Sequence, residues 1–147
     1  MNATAVKFGY PASCLAEWPH WLVLLRPSQV TLGSLVLVCR EPVERFGQVS
    51  PEAALELREV VATVEGVLGD LLHFDKINYL MLMMVDPDVH FHVFPRYSSP
   101  RSEAGVSFVD SSWPGPPDLT KGAPLPEAVA SSLTVRFKAA FASHRGF

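Results

Sequence analysis

A run of alternating side chains between Asp88 and Phe94 constrains this chain more than any other stretch. Asp88, His90 and His92 fall at every second position, with Val89, Phe91 and Val93 between them. Successive side chains of a β-strand point to opposite faces, so this period predicts a half-buried strand. Its apolar set faces a core. The other face carries a carboxylate and two imidazoles in a row, about 6.6 Å apart along the strand. Pro95 has no amide proton to offer a ladder and is expected to end the strand or lie at its edge. Arg96 follows where the strand is expected to open to solvent, and its planar fork of donors suits a phosphate. Two histidines on one polar face beside an arginine point to a site that handles phosphate.

The same residues carry a resemblance. His90-Phe91-His92-Val93-Phe94-Pro95-Arg96 resembles the signature of the histidine triad (HIT) nucleotide hydrolases and transferases, His-x-His-x-His with apolar residues between and after, often followed by Pro-Arg. Upstream, Pro42-Val43-Glu44-Arg45-Phe46 and then Ser50-Pro51-Glu52 resemble the segment joining an early strand to the long helix in the fragile-histidine-triad, diadenosine polyphosphate hydrolase-like branch. Gly33-Ser34 ahead of Leu35–Val38 resembles that branch's Gly-His pair before the same strand. The likeness runs from Trp18 to Tyr97. Aligned on Pro95-Arg96, Asp88 stands in place of the first triad histidine, and His90 and His92 take the second and third places. The loop ahead of the triad, which often carries a phosphate-binding glutamine, is expected to be cut to Val85-Asp86-Pro87. Trp21–Leu25 offers no Asn or Asp for a ribose. Phosphate chemistry therefore transfers better than nucleoside recognition.

The resemblance implies an α+β fold: a HIT-like antiparallel β-sheet with one long central helix and a C-terminal helix. It implies a hydrolase or transferase acting on a dinucleoside polyphosphate or nucleoside phosphoramidate. His90 is the expected nucleophile, because a neutral imidazole nitrogen attacks phosphorus to give a covalent phosphoramidate. Asp88 or a backbone carbonyl holds its tautomer. His92 meets the phosphoryl oxygens or protonates the leaving group. Arg96 and Asn78 are the phosphate-binding candidates, although an arginine after a strand end also pairs with carboxylates, and Asn78 also reads as a turn residue bonding its own backbone. A homodimer is implied, with no protein-bound metal or cofactor beyond Mg or Mn arriving with the nucleotide.

Three competing readings stand beside this one. A His-x-His pair on an alternating strand also describes a solvated sheet face. The same spacing is a chelate, with Asp88 as an oxygen ligand to a metal-dependent β-sheet enzyme. A non-catalytic nucleotide-binding protein of the same fold would also keep these residues.

The 147 residues are expected to form a single HIT-like domain, with its core at 18–97 and a Pro-rich segment and C-terminal helix at 98–147. A hydrophobic fraction of 48% supplies a core, and a net charge of −3 argues against non-specific nucleic-acid binding. Cys14 and Cys39 lie in unlike contexts, which favours a reducing cytoplasm over a disulfide framework. The N-terminal stretch is interrupted by Pro11, Glu17 and Pro19, so neither a signal peptide nor a membrane span is expected. Trp21–Leu25 and Leu35–Cys39 predict two antiparallel strands. Ser50-Pro51-Glu52 predicts a helix start, followed by Leu57, Val60, Val61, Val64, Val67, Leu68 and Leu71 at helical spacing. Ile77–Val85 predicts a strand buried on both faces, with Met81, Met83 and Met84 as core filler and a tight return at Asp86-Pro87. Trp113–Pro117 is expected to be extended. Pro126–Ala142 predicts a second helix, with Val129, Leu133, Phe137 and Phe141 along one stripe.

Overall fold

The structure is a computed structural model and describes residues 2–145. In chain order it contains α1 (Ala3–Lys7), β1 (Cys14–Glu17), β2 (Trp21–Leu25), β3 (Ser28–Gln29), β4 (Leu35–Cys39), α2 (Pro51–Leu72), β5 (Lys76–Leu80), β6 (His90–Arg96), β7 (Arg101–Glu103), β8 (Val106–Phe108), β9 (Ala123–Pro124) and α3 (Glu127–Arg145). Five strands form one antiparallel sheet in the order β1-β2-β4-β6-β5. This is the expected α+β arrangement, with a long helix and a C-terminal helix beside an antiparallel sheet. No helix among the described residues is long and apolar enough to cross a membrane.

The helices form where their signals stand. The Ser50 hydroxyl accepts from the Ala53 amide at 3.0 Å, Pro51 fills the first turn, and α2 buries Val60, Val64, Val67 and Leu68. α3 adds Leu133, Phe137 and Phe141 to the same core. Gly66 lets α3 come close: a Cβ there would lie 3.0 Å from the His144 ring. Together α2 and α3 cover the sheet face that carries Trp21, Val23, Leu35, Leu37 and Val93. The opposite face has a smaller cluster, in which Ala5 and Phe8 from the N-terminal segment pack on Leu22, Leu24, Val36 and Val38. β2 and β4 are therefore buried on both faces, as their unbroken apolar runs require.

β6 lies between β4 and β5. His90 pairs with Val38 and His92 with Val36, so both imidazoles stand on the sheet face away from α2. Pro95 does not end the strand; it pairs with Ile77 of β5 just beyond the last β4 pair, Leu35 with Val93. The strand is one-sided there, which is why proline is tolerated.

Elsewhere the expectations need correction. The strand expected at Ile77–Val85 stops at Leu80, and residues 81–89 form an irregular loop in place of a tight return. Met83 takes a positive φ of 46°, which a strand cannot continue through. Met84 is accordingly 84% exposed and is not core filler. The segment expected to be extended around Trp113 is a turn, closed by the Gly115 amide on the Ser112 carbonyl at 2.7 Å. α1 and β1 carried no clear sequence signal; a bulge between Cys14 and Ala16 breaks the alternation of β1.

The turn between β2 and β4 brings the sheet against the end of α2. Gly33 sits there at φ +85°, and a Cβ would lie 2.5 Å from Leu72 Cδ1, with Leu68 and Pro95 at 3.4 Å behind it. Gly33→Ala should therefore lower stability by about 2 kcal/mol or more in urea unfolding. Gly47→Ala, which meets no atom within 4 Å, should leave the midpoint unchanged.

Candidate active site

The two imidazoles of β6 are almost fully enclosed: His90 is 1% and His92 5% exposed. Their ring centroids are 4.9 Å apart at an interplanar angle of 82°. Phe8 packs against both rings, and His92 stacks on Phe94. Each ring nitrogen next to the backbone side has a partner that fixes its proton. His90 Nδ1 lies 2.6 Å from the carbonyl oxygen of Asp88. That oxygen only accepts, so Nδ1 carries the proton and Nε2 the lone pair. His92 Nδ1 faces the Nε–H of Arg26 at 3.5 Å. A guanidinium only donates, so this imidazole carries its proton on Nε2. Neither Nε2 is bonded within the described residues, and no buried polar side-chain atom among them lacks a partner. Both Nε2 atoms therefore reach the adjoining cleft.

That cleft has a volume of about 420 Å³. Lys7 and Phe8 form one wall, Arg26–Ser28 a second, and Leu82–Asp86 of the loop before β6 a third, with His90 and His92 beneath. Lys7 is paired with Asp86 at 2.8 Å, which ties α1 to that loop. Burial pushes the His92 pKa down to about 4, helped by His90 and by the Arg26 charge and opposed by Asp86. His92 is therefore neutral at ordinary pH. Burial also lowers the pKa of Arg26, again against Asp86.

No protein-family model matches the sequence, and a search of the curated proteins finds no match. Solved structures do match. A histidine triad (HIT) protein from Sinorhizobium meliloti superposes with a TM-score of 0.74 at 20% identity, over 95% of each chain. A histidine triad protein from Marinobacter aquaeolei gives 0.71 at 22% identity over 88% of each chain. A histidine triad nucleotide-binding protein from Sulfolobus tokodaii, described as hypothetical, gives 0.67 at 15% identity, over 89% of this chain and 84% of its own. The chain has the histidine triad fold.

Within the histidine triad fold the expected site residues fall into two groups. His90 and His92 come together as expected. Asp88 does not join their row, because β6 begins at His90. Its carboxylate turns to α1 and accepts from the Thr4 amide at 3.1 Å and the Thr4 hydroxyl at 2.9 Å. Of the two tautomer holders left open for His90, the Asp88 carbonyl takes the place. The His90–His92–Asp88 metal set is likewise not assembled. Among the described residues there is no cluster of three or more His, Cys, Asp or Glu side chains suited to a metal ion.

Arg96 does not open to solvent. It is 3% exposed and grips Asp110 through Nε at 2.7 Å and Nη2 at 3.2 Å, with Nη1 on Asn78 Oδ1 at 2.8 Å and Nη2 also on the Gly115 carbonyl. Asn78 is thereby engaged as well, and neither residue lines the histidine cleft. Ser34, expected from the resemblance to stand where a Gly-His pair has its histidine, is buried with its hydroxyl on Thr31. The residues that sequence reasoning missed are Lys7, Phe8, Arg26 and Asp86. Only Arg26 had a local signal, an arginine just past an apolar strand; the others reach the cleft through α1 and the loop before β6.

The depressed His92 pKa makes stability depend on pH with a definite sign. An unfolded imidazole titrates near 6.5, so the unfolded chain binds that proton first as pH falls. The His92 contribution to stability is full above about pH 6.5 and is lost as pH falls through 4, roughly 3 kcal/mol in all. Urea unfolding across that window should show a shallower fall for His92→Gln than for the natural chain.

Proposed function

We propose that this chain is a nucleotide hydrolase or transferase acting at phosphorus through a covalent intermediate on His90, with a dinucleoside polyphosphate or nucleoside phosphoramidate as substrate. The observation that carries this reading is the opposed pair of tautomers: a lone pair on His90 Nε2 beside an N–H on His92 Nε2, both open to one cleft. A phosphoryl group seated there meets a nucleophile and a donor together. His90 Nε2 forms a bond to phosphorus as the bond to the leaving group breaks on the far side. The positive charge that develops on the ring is shared through Nδ1–H with the Asp88 carbonyl. His92 Nε2–H donates a hydrogen bond to a non-bridging oxygen, and the leaving atom takes any proton it needs from water. Water, or an acceptor in a transferase, then breaks the P–N bond and restores the first tautomer. Mg²⁺ or Mn²⁺ enters with the nucleotide in this scheme, and the working assembly is a homodimer. The likeness to a nucleotide-binding protein of the same fold supports the choice of ligand.

Incubation with a diadenosine polyphosphate, followed by rapid quench and peptide mass spectrometry, should place an acid-labile adenylyl group on the His90 peptide. His90→Ala should form none, and His92→Gln should slow turnover by about a hundredfold. Binding without turnover or adduct in the natural chain would leave a nucleotide-binding protein of this fold in place of an enzyme.

A further inference from the structure

The cleft holds a cation that the proposed chemistry has not yet used. We propose that Arg26 is the anion clamp of this site, taking the non-bridging oxygens of the phosphoryl group presented to His90, and that the remainder of the substrate is held by apolar contact. This inference rests on the phosphoryl chemistry proposed above.

Arg26 is held in place without a carboxylate. Its amide donates to the Ser34 carbonyl at 3.0 Å, and its own carbonyl accepts from Gln29 Nε2 at 2.7 Å, so the backbone is fixed by the turn after β2. Nη1 donates to the Ser28 carbonyl, Nε faces His92, and the guanidinium lies 5.9 Å from the centroid of Phe8 and 5.8 Å from that of Phe94. Nη2 makes no hydrogen bond among the described residues. Arg96, Arg101 and Arg136 each have an acidic partner within bridging distance; Arg26 has none among the described residues. Asp86, the carboxylate whose charge it feels, is already bonded to Lys7.

The charges of the cleft then leave one cation over. Lys7 and Asp86 cancel, and His92 is neutral at ordinary pH. A half-buried guanidinium with one free edge and no counter-ion is suited to a phosphate oxygen, which it meets in a charge-assisted hydrogen bond. Arg96 and Asn78 are spent on Asp110 and on each other, so they do not compete. Phe8, Pro27, Leu82, Met83 and Leu119 also line the cleft, and apart from Ser28 no uncommitted hydroxyl, amide or carboxylate side chain lines it to read a ribose. The substrate class is therefore a phosphoanhydride or phosphoramidate recognised by its phosphate charge and by apolar packing.

The test is a titration of pyrophosphate and of AMP into the whole chain, followed through the imidazole NMR signals of His90 and His92. Arg26→Gln should weaken both ligands by about ten- to a hundredfold. Arg26→Lys should retain part of the affinity, and the exposed Arg58→Gln should behave as the natural chain. Arg26→Gln should also raise the His92 titration from about 4, since the guanidinium helps to hold it down. Unchanged affinity in Arg26→Gln, or no binding to the natural chain, would overturn the clamp. Adduct mapping on the same samples tests the covalent reading separately. No adduct, with anion binding still dependent on Arg26, would sink the intermediate and leave the clamp. Should Arg26→Gln not fold, phenylglyoxal modification of the natural chain replaces it: pyrophosphate should shield Arg26, and unshielded modification counts against the clamp. Ribo and 2′-deoxy forms of one substrate should react at similar rates, and a large preference for the ribo form would overturn the apolar-packing half of the proposal.

Discussion

The register of β6 between β4 and β5 is the constraint on which the rest of the molecule depends. A strand hydrogen-bonded on both edges cannot slip by one residue without turning every side chain to the other face. Here such a slip would drive His90 and His92 into the core under α2 and expel Val89 and Val93, which are fully buried there. The apolar packing of one face therefore holds the polar groups of the other in position. The pairing of His90 with Val38 and His92 with Val36 fixes where along the sheet the imidazoles stand. Phe8, laid over them from the N-terminal segment, shields the rings from water while their Nε2 edges stay open to the cleft.

That enclosure sets the electrostatics. Burial disfavours the charged form of an imidazole, so His92 stays neutral and keeps both a donor and an acceptor nitrogen. Asp88 divides its labour within this arrangement. Its carbonyl holds the His90 proton, while its carboxylate anchors Thr4. A carboxylate facing the cleft would repel an anionic substrate. Bonded to α1, that of Asp88 does not, and the N-terminal segment it anchors becomes a wall of the site.

Arg96 shows how a residue suited to phosphate can be taken up by architecture. Its fork is filled by Asp110, which also accepts from the Tyr97 amide at 3.1 Å, so the end of β6 is tied to the segment that follows β8. Breaking a buried pair of this kind leaves an uncompensated charge, which is more destabilising than the pair is stabilising. Glu103 does similar work on β7, bonding Ser132 and Arg136 of α3. The Pro-rich segment is thus fastened to the scaffold at several points, and of its residues only Leu119 reaches the cleft.

Much of this was legible in the residues themselves. Alternation placed the imidazoles on one face, Ser50-Pro51 marked the start of α2 to the residue, and the apolar runs marked β2 and β4. These are short-range properties, set by backbone period and by side chains that cap their own helix. Misreadings arose where a local pattern had two outcomes. Residues 81–85 are apolar enough for a strand yet break at Met83, and Arg96 reads equally as a phosphate ligand or as half of an ion pair. The partners of the site were beyond reach of any local rule. Arg26 meets His92 across 66 residues and Thr4 meets Asp88 across 84. The chain by itself determined which chemistry stands on β6, because strand geometry assigns faces residue by residue. The tertiary structure alone decided which charges surround it, because those contacts form only when distant segments close on the same sheet.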